Sequence, residues 1–169
     1  MSVTLSGPLA DRSTWNTAEC SIGKAMAVIG SRTAMLLLRE AFYGTTRFDD
    51  FAARVGVTEA VASARLKKLV GLGVFEKRPY REPGQRTRNE YKLTQMGRDL
   101  FPVVAALMQW GNTHLQHSGG PLALVDRDSG EPVTVDARSA SGALLEAEDI
   151  AVRFNTEWLR QAADESAAT

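Results

Sequence analysis

At 169 residues, with 44% hydrophobic and 24% charged side chains, the chain has the size and composition of one globular domain carrying an appendage. No apolar run reaches the ~20 residues needed to cross a bilayer, and a single cysteine excludes an internal disulfide. The zero net charge conceals a gradient: residues 1–60 hold six basic and six acidic side chains, 61–100 hold ten and four, and 101–169 hold four and ten.

The opening "MSVTLSGPLADR" lacks the basic start and apolar core of a signal peptide, so a cytoplasmic setting is expected. Residues 1–14 show no sustained period and read as loose. From Cys20 the pattern turns helical, with Ile22, Ala25, Met26 and Ile29 at spacings of three and four, until Gly30 and Ser31 break it. Ser31 is placed to cap a second helix through "RTAMLLLREAFY", apolar on most sides and therefore central to a core; Gly44 ends it. A short helix, "RFDDFAARV", stops at Gly56. Thr58 then caps "EAVASARLKKLVGLG", in which Val61, Leu66 and Leu69 are expected to face inward and Gly71 and Gly73 to close the helix.

Two helices joined by the tight "GVT" turn make a helix-turn-helix. After Gly73 the period changes to that of strands. "VFEKRPY" and "RTRNEYKL" flank "REPGQ", whose Pro-Gly pair suits the middle of a type II turn. A helix-turn-helix followed by a basic hairpin is a winged helix. Thr94 is expected to cap one long helix, "QMGRDLFPVVAALMQWGNTHL", bent near Pro102 and striped by Leu100, Val103, Val104, Leu107 and Met108.

These pieces together resemble the HxlR family of bacterial winged-helix regulators, relatives of the MarR group. The resemblance lies in "CSIGKAMAVIGSR", "LLLRE", "RFDDF", "ARLKKLVGLGVFEKRPY" and "EYKLTQMGRDLFPVVAALMQWG", in the family's order over roughly residues 19–115. Thr33 stands where the family commonly has Trp, and Ser21 where many members have Pro. The stretch "PLALVDRDSGEPVTVDARSASGALLEAEDIAVRF" resembles the small β extension of some members, without the cysteines of their metal ribbons. It reads as a two- or three-stranded appendage turning at Ser129-Gly130 and Ser141-Gly142. The end, "NTEWLRQAADESAAT", fits a short helix or an acidic tail. The expected fold is therefore α+β: a mostly helical winged helix-turn-helix with a two-stranded wing, plus a small C-terminal β extension. Its divisions are a flexible arm (1–18), a DNA-binding and dimerisation domain (19–117), and the β appendage with its acidic tail (118–169).

In this fold the second helix of the pair enters the major groove while flanking cations hold phosphates. Thr58, Glu59, Ala60, Ala62, Ser63, Arg65 and Lys67 are the positions expected to be exposed there. Arg65 suits guanine or phosphate, or else simply covers the helix surface; Glu59 suits the helix dipole. On the wing, Arg81, Arg86 and Arg88 suit a minor groove, with Arg86 and Arg88 nearest the tip and Lys77 and Arg78 nearer its base. Arg32 is the matching backbone anchor.

One such unit makes too little contact for an operator, so a homodimer on an inverted repeat is expected. Trp15, Ile22, Met26, Leu107 and Trp110 are assigned to its interface, as the resemblance also implies. Cys20 has two readings: an oxidant sensor, as in some relatives, or an inert small hydrophobe. His114 and His117 have no close carboxylate or cysteine beside them, and no catalytic constellation is visible. No enzymatic activity, metal or cofactor is expected. The function implied is a cytoplasmic, nucleoid-associated transcriptional repressor on double-stranded DNA, answering to a small-molecule effector or oxidant, with no membrane partner. Two alternatives stay open: a winged-helix protein-interaction module without specific DNA binding, and an enzyme or thiol-based carrier centred on Cys20.

Overall fold

The computed structural model describes residues 2–6, 11, 17–157 and 160. They fall into two compact units: residues 18–135, and residues 1–17 together with 136–169.

The larger unit starts with α1 (Ser21–Ile29), which ends as Gly30 returns its N–H to the Met26 carbonyl. Ser31 is extended, and its hydroxyl accepts from the Ala34 N–H at 3.2 Å, which starts α2 (Arg32–Phe42). Ala34, Leu37 and Leu38 are wholly buried, so α2 runs through the middle of the core. Gly44, at φ +91°, turns the chain out of the helix where a side chain would be strained.

Helix α3 (Phe48–Val55) buries Phe51, Ala52 and Val55 and stops at Gly56, in the left-handed conformation. Thr58 caps α4 (Glu59–Gly71) by accepting from the Val61 N–H at 3.3 Å. The buried stripe of α4 is Ala62, Leu66 and Leu69, and Val61 is 46% exposed. The expectation that Val61 faces inward and Ala62 outward is thus reversed. Spacing explains why: positions 62, 66 and 69 share a helical face, whereas 61 lies about 100° away from it.

Strands β2 (Phe75–Tyr80) and β3 (Arg88–Leu93) pair antiparallel, from Phe75 opposite Leu93 to Tyr80 opposite Arg88. The Pro83-Gly84 turn joins them, with Gly84 at φ +75°. Phe75 and Tyr91 meet Phe51 edge-on, with ring centres 6.0 and 6.4 Å away, which fastens the wing's root to α3.

The single long helix expected after Thr94 is two. Thr94 caps α5 (Gln95–Arg98), and α6 (Phe101–His114) begins after a break at Asp99 and Leu100. Pro102 lies in the first turn of α6, where its missing N–H costs nothing, so it opens a helix rather than bending one. The chain then runs back along α6. Val125 and Pro132 form a one-residue bridge around the Ser129-Gly130 turn. The Gln109 side chain acts as a mock strand, accepting from the Val135 N–H at 2.8 Å and donating to its carbonyl at 3.2 Å.

In the smaller unit β1 (Thr4–Leu5) pairs parallel with β4 (Ala151–Val152). The first residues, read as loose, therefore include a strand, and its partner lies far along the chain. A bridge between Arg138 and Leu144 encloses the turn at Gly142. Apart from β1 and β4, no ladder forms among its described residues; of the appendage expected over 118–169, the two turns form, each enclosed by a single bridge, and β4 takes β1 as its partner.

Candidate nucleic-acid interface

The α3–α4 pair and the wing place two sets of expected contacts in one unit. On α4, Thr58, Ala60, Ser63 and Lys67 are exposed. Ala62 is not available, being fully buried. Arg65 borders the buried stripe and is itself half-buried, so its stem covers the helix while its head can still reach solvent. Arg32 is exposed in the first turn of α2. Among the described residues, none of Arg32, Arg65 and Lys67 has a hydrogen bond or ion pair.

The wing divides its cations differently. Glu76 lies opposite Lys92 and Arg78 opposite Glu90, and these four alternate in sign across one face. Arg78 bonds Glu76 at 2.6 Å and Lys92 bonds Glu90 at 3.0 Å. The bond from Lys92 is the largest influence holding the Glu90 carboxyl below its ordinary range; desolvation opposes it, and the charge of Lys92, a bond from Thr46 and the charge of Arg47 add to it. This face is electrically balanced. Lys77 lies over the Tyr91 ring, 5.6 Å from its centre.

Spare charge therefore concentrates at the tip. Arg81 donates to the Gln85 carbonyl at 3.1 Å and so staples the turn it starts. Arg88 sits 3.7 Å from Asp49 of α3, an exposed pair of small energetic value that nonetheless aims the side chain back toward the helices. Arg86 is exposed and unpaired among the described residues.

Three relevant residues escaped the sequence reading. Val61 presents a branched apolar surface beside Ala60, Ser63 and Ala64 on α4, of the kind that contacts a thymine methyl group. Arg54 is exposed at the end of α3. Arg47 stacks on Tyr80 and reaches Glu82 at 3.5 Å, bracing the wing. The period-of-3.6 stripe through Ala62, Leu66 and Leu69 was the signal that could have exposed Val61.

The interface residues assigned to a second copy are placed as follows. Ile22 is 75% exposed, and Met26, Leu107 and Trp110 are more than half exposed; Trp15 lies outside the described residues. Cys20 is exposed at the start of α1, and the nearby Lys24 is ion-paired with Glu19 rather than left to a thiolate. His114 stacks near Trp110, ring centres 5.4 Å apart. Among the described residues no group of three or more His, Cys, Asp or Glu could hold a metal, and no single helix is long and apolar enough to cross a membrane.

Two helices on a tight turn, followed by a hairpin rooted on the first of them, define a winged helix-turn-helix. The chain belongs to the HxlR-like helix-turn-helix family, which matches residues 28–119. It is 44% identical over 101 residues to the uncharacterized HTH-type transcriptional regulator MT3179 of Mycobacterium tuberculosis, a match covering 60% of this chain and 63% of that protein. The matched part is thus less than two thirds of that relative's length. The solved structure of PA1607, a candidate transcription factor, superposes with a TM-score of 0.74 at 37% identity, covering 82% of this chain and 96% of that one. The redox regulator HypR in its reduced form matches 56% of this chain and 93% of its own, with a TM-score of 0.51 and 25% identity.

Proposed function

We propose that this chain is a cytoplasmic, sequence-specific DNA-binding transcriptional repressor that acts as a homodimer and releases its operator in response to a small molecule or oxidant. In this reading α4 lies in the major groove, where Thr58, Ala60, Val61 and Ser63 meet base edges and Lys67 meets phosphate. Arg86 reaches the adjoining minor groove, with Arg81 and Arg88 behind it. Exposed Ile22 and Met26 of α1, with Leu107 and Trp110 of α6, pair with a second copy.

The observation that carries the reading is the distribution of unpaired charge. The wing's flat face neutralises itself, whereas Lys67, Arg65 and Arg86 keep their charge on α4 and at the wing tip. Among the described residues these cations have no partner; a polyanion supplies one. The family membership and the likeness to MT3179 and PA1607 point the same way.

The test selects bound duplexes from a random pool, then measures affinity against salt for wild type and for Arg65→Glu with Arg86→Glu. An enriched inverted repeat is expected, with the double variant at least about tenfold weaker and its salt slope smaller by about one per lost phosphate contact. If nothing is enriched, or if the variant keeps wild-type affinity and slope, the reading is wrong.

A further inference from the structure

Between α2 and α6 the larger unit contains a cavity of about 300 Å³, at the lower end of the range of small-molecule sites. Met35, Leu36, Val104, Leu107, Met108 and Leu122 give it apolar walls, Leu107 being also one of the residues assigned to the proposed dimer interface, and Arg39 is the one charged side chain lining it. The other polar lining groups are engaged in building the wall: Asn112 donates to the Leu122 carbonyl at 3.1 Å, and the Tyr43 hydroxyl faces the Met108 sulfur at 3.8 Å.

Arg39 differs from them. Its Nη2 and Nε donate to one carboxylate oxygen of Glu40, at 2.6 and 3.1 Å. The Glu40 side chain is only 8% exposed, so it holds the guanidinium in a fixed orientation. A guanidinium carries five N–H donors. Two serve Glu40, and no described residue takes the other three. A pre-oriented cation with spare donors on an apolar wall matches one ligand chemistry, a hydrophobic body ending in a planar anion.

We propose that the α2–α6 cavity binds a small apolar carboxylic acid, its hydrocarbon against Met35, Leu36 and Met108 and its carboxylate on the free edge of Arg39. This deepens the effector-response reading and rests on it for its output alone. The route to the wing is short. The second oxygen of Glu40 accepts from the Thr45 hydroxyl at 3.4 Å, and the Thr45 N–H donates to the Glu40 carbonyl at 3.0 Å. The next residue, Thr46, accepts the Tyr91 N–H of β3 at 2.8 Å. A ligand carboxylate shares the charge of Arg39, weakens its hold on a buried carboxylate, and so loosens the loop that seats the wing.

The probe is 2-naphthoate, titrated calorimetrically into the full chain beside its neutral counterpart, 2-naphthalenemethanol. The acid should bind at least about tenfold more tightly, the preference a charge-assisted bond supplies. Arg39→Met should abolish that preference. Because this change strands Glu40 and can unfold the chain, Leu122→Trp provides a second variant, filling the cavity from an exposed wall position; it should remove binding of both compounds. Equal affinity for acid and alcohol, no binding to wild type (as when a second copy covers the cavity), or undiminished binding to Leu122→Trp would each overturn the site. With a selected duplex, saturating acid should weaken DNA binding by about tenfold, and an unchanged affinity would overturn the coupling. The titration needs no DNA, so a failed duplex selection sinks the regulator reading alone and a flat titration sinks this site alone.

Discussion

The guanidinium of Arg47 lies 3.1 Å from the centre of the Tyr80 ring. Arg47 immediately precedes α3, and Tyr80 ends β2, so this contact ties the wing's outer half to the first helix of the pair. Its backbone also bridges to Glu90 of β3, and its Nη2 reaches Glu82 beyond β2. Nη1 is buried with no hydrogen-bond acceptor among the described residues. The face of the Tyr80 ring is a weak acceptor that offsets part of that cost. Replacing Arg47 by Ala should lower stability by about 1–2 kcal/mol in urea unfolding. Amide exchange should accelerate in β2 and β3 well before it does in α2. Uniform exchange across the unit would mean the wing needs no such brace.

Two glycines should respond to the same substitution with opposite signs. A Cβ on Gly97 would sit 2.2 Å from the Val74 carbonyl oxygen, a backbone atom with little freedom to retreat. Gly97→Ala should therefore destabilise by roughly 1–3 kcal/mol despite the better helix propensity of Ala. Gly111, within α6, meets nothing within 4 Å, and Gly111→Ala should stabilise by about 0.5–1 kcal/mol. Thermal unfolding of both variants checks the pair. Equal shifts would show that α5 is not pressed against the start of β2.

Glu90 predicts an acid limb for the wing. Its carboxyl is held below the ordinary value of 4.5, first by the bond from Lys92, in the folded state only. Its stabilising contribution is complete above the ordinary value and disappears as pH falls through the lower folded one. Glu90→Gln should therefore lower stability near neutrality and flatten its loss as pH falls from about 5 into the acid range, where the two proteins converge. Denaturant midpoints across that range measure it. Parallel curves for the two proteins would place the acid sensitivity elsewhere.

Local features were the most legible in the sequence. Ser31, Thr58 and Thr94 each stand directly before a helix, and each hydroxyl accepts the expected backbone N–H. Gly44, Gly56 and Gly84 mark turns because only their backbone tolerates those angles. What failed was non-local or geometric. Valine looked more like a core residue than alanine, but the stripe shared with Leu66 and Leu69 passes through Ala62. The break before Pro102 looked like a bend because a proline one turn inside a helix and one at its start share the same apolar neighbourhood. The pairing of β1 with β4 joins segments about 145 residues apart, beyond any periodicity. At the candidate interface, composition revealed the basic cluster but not which of its members neutralise one another.

Cys20 is exposed, which favours a thiol open to solvent over a packed hydrophobe. Ellman's reagent should label the folded protein to one equivalent per chain, about as fast as it labels the unfolded protein. Cys20→Ser should leave DNA affinity under reducing conditions unchanged. If oxidation weakens the wild type and not the serine variant, the thiol is a redox switch. A thiol that reacts only in denaturant would restore the packing reading.

Helices α1 and α6 each contain a single buried hydrophobic residue, Ile29 and Ala105 respectively. Helices so lightly anchored would gain order from any cover on their outer faces. On the homodimer reading that cover is another copy, and folding becomes a matter of supply. Dilution would then lower the melting temperature as well as the number of dimers. A cell short of this protein would have less bound to DNA and would also lose what it has more quickly, so scarcity would reinforce itself.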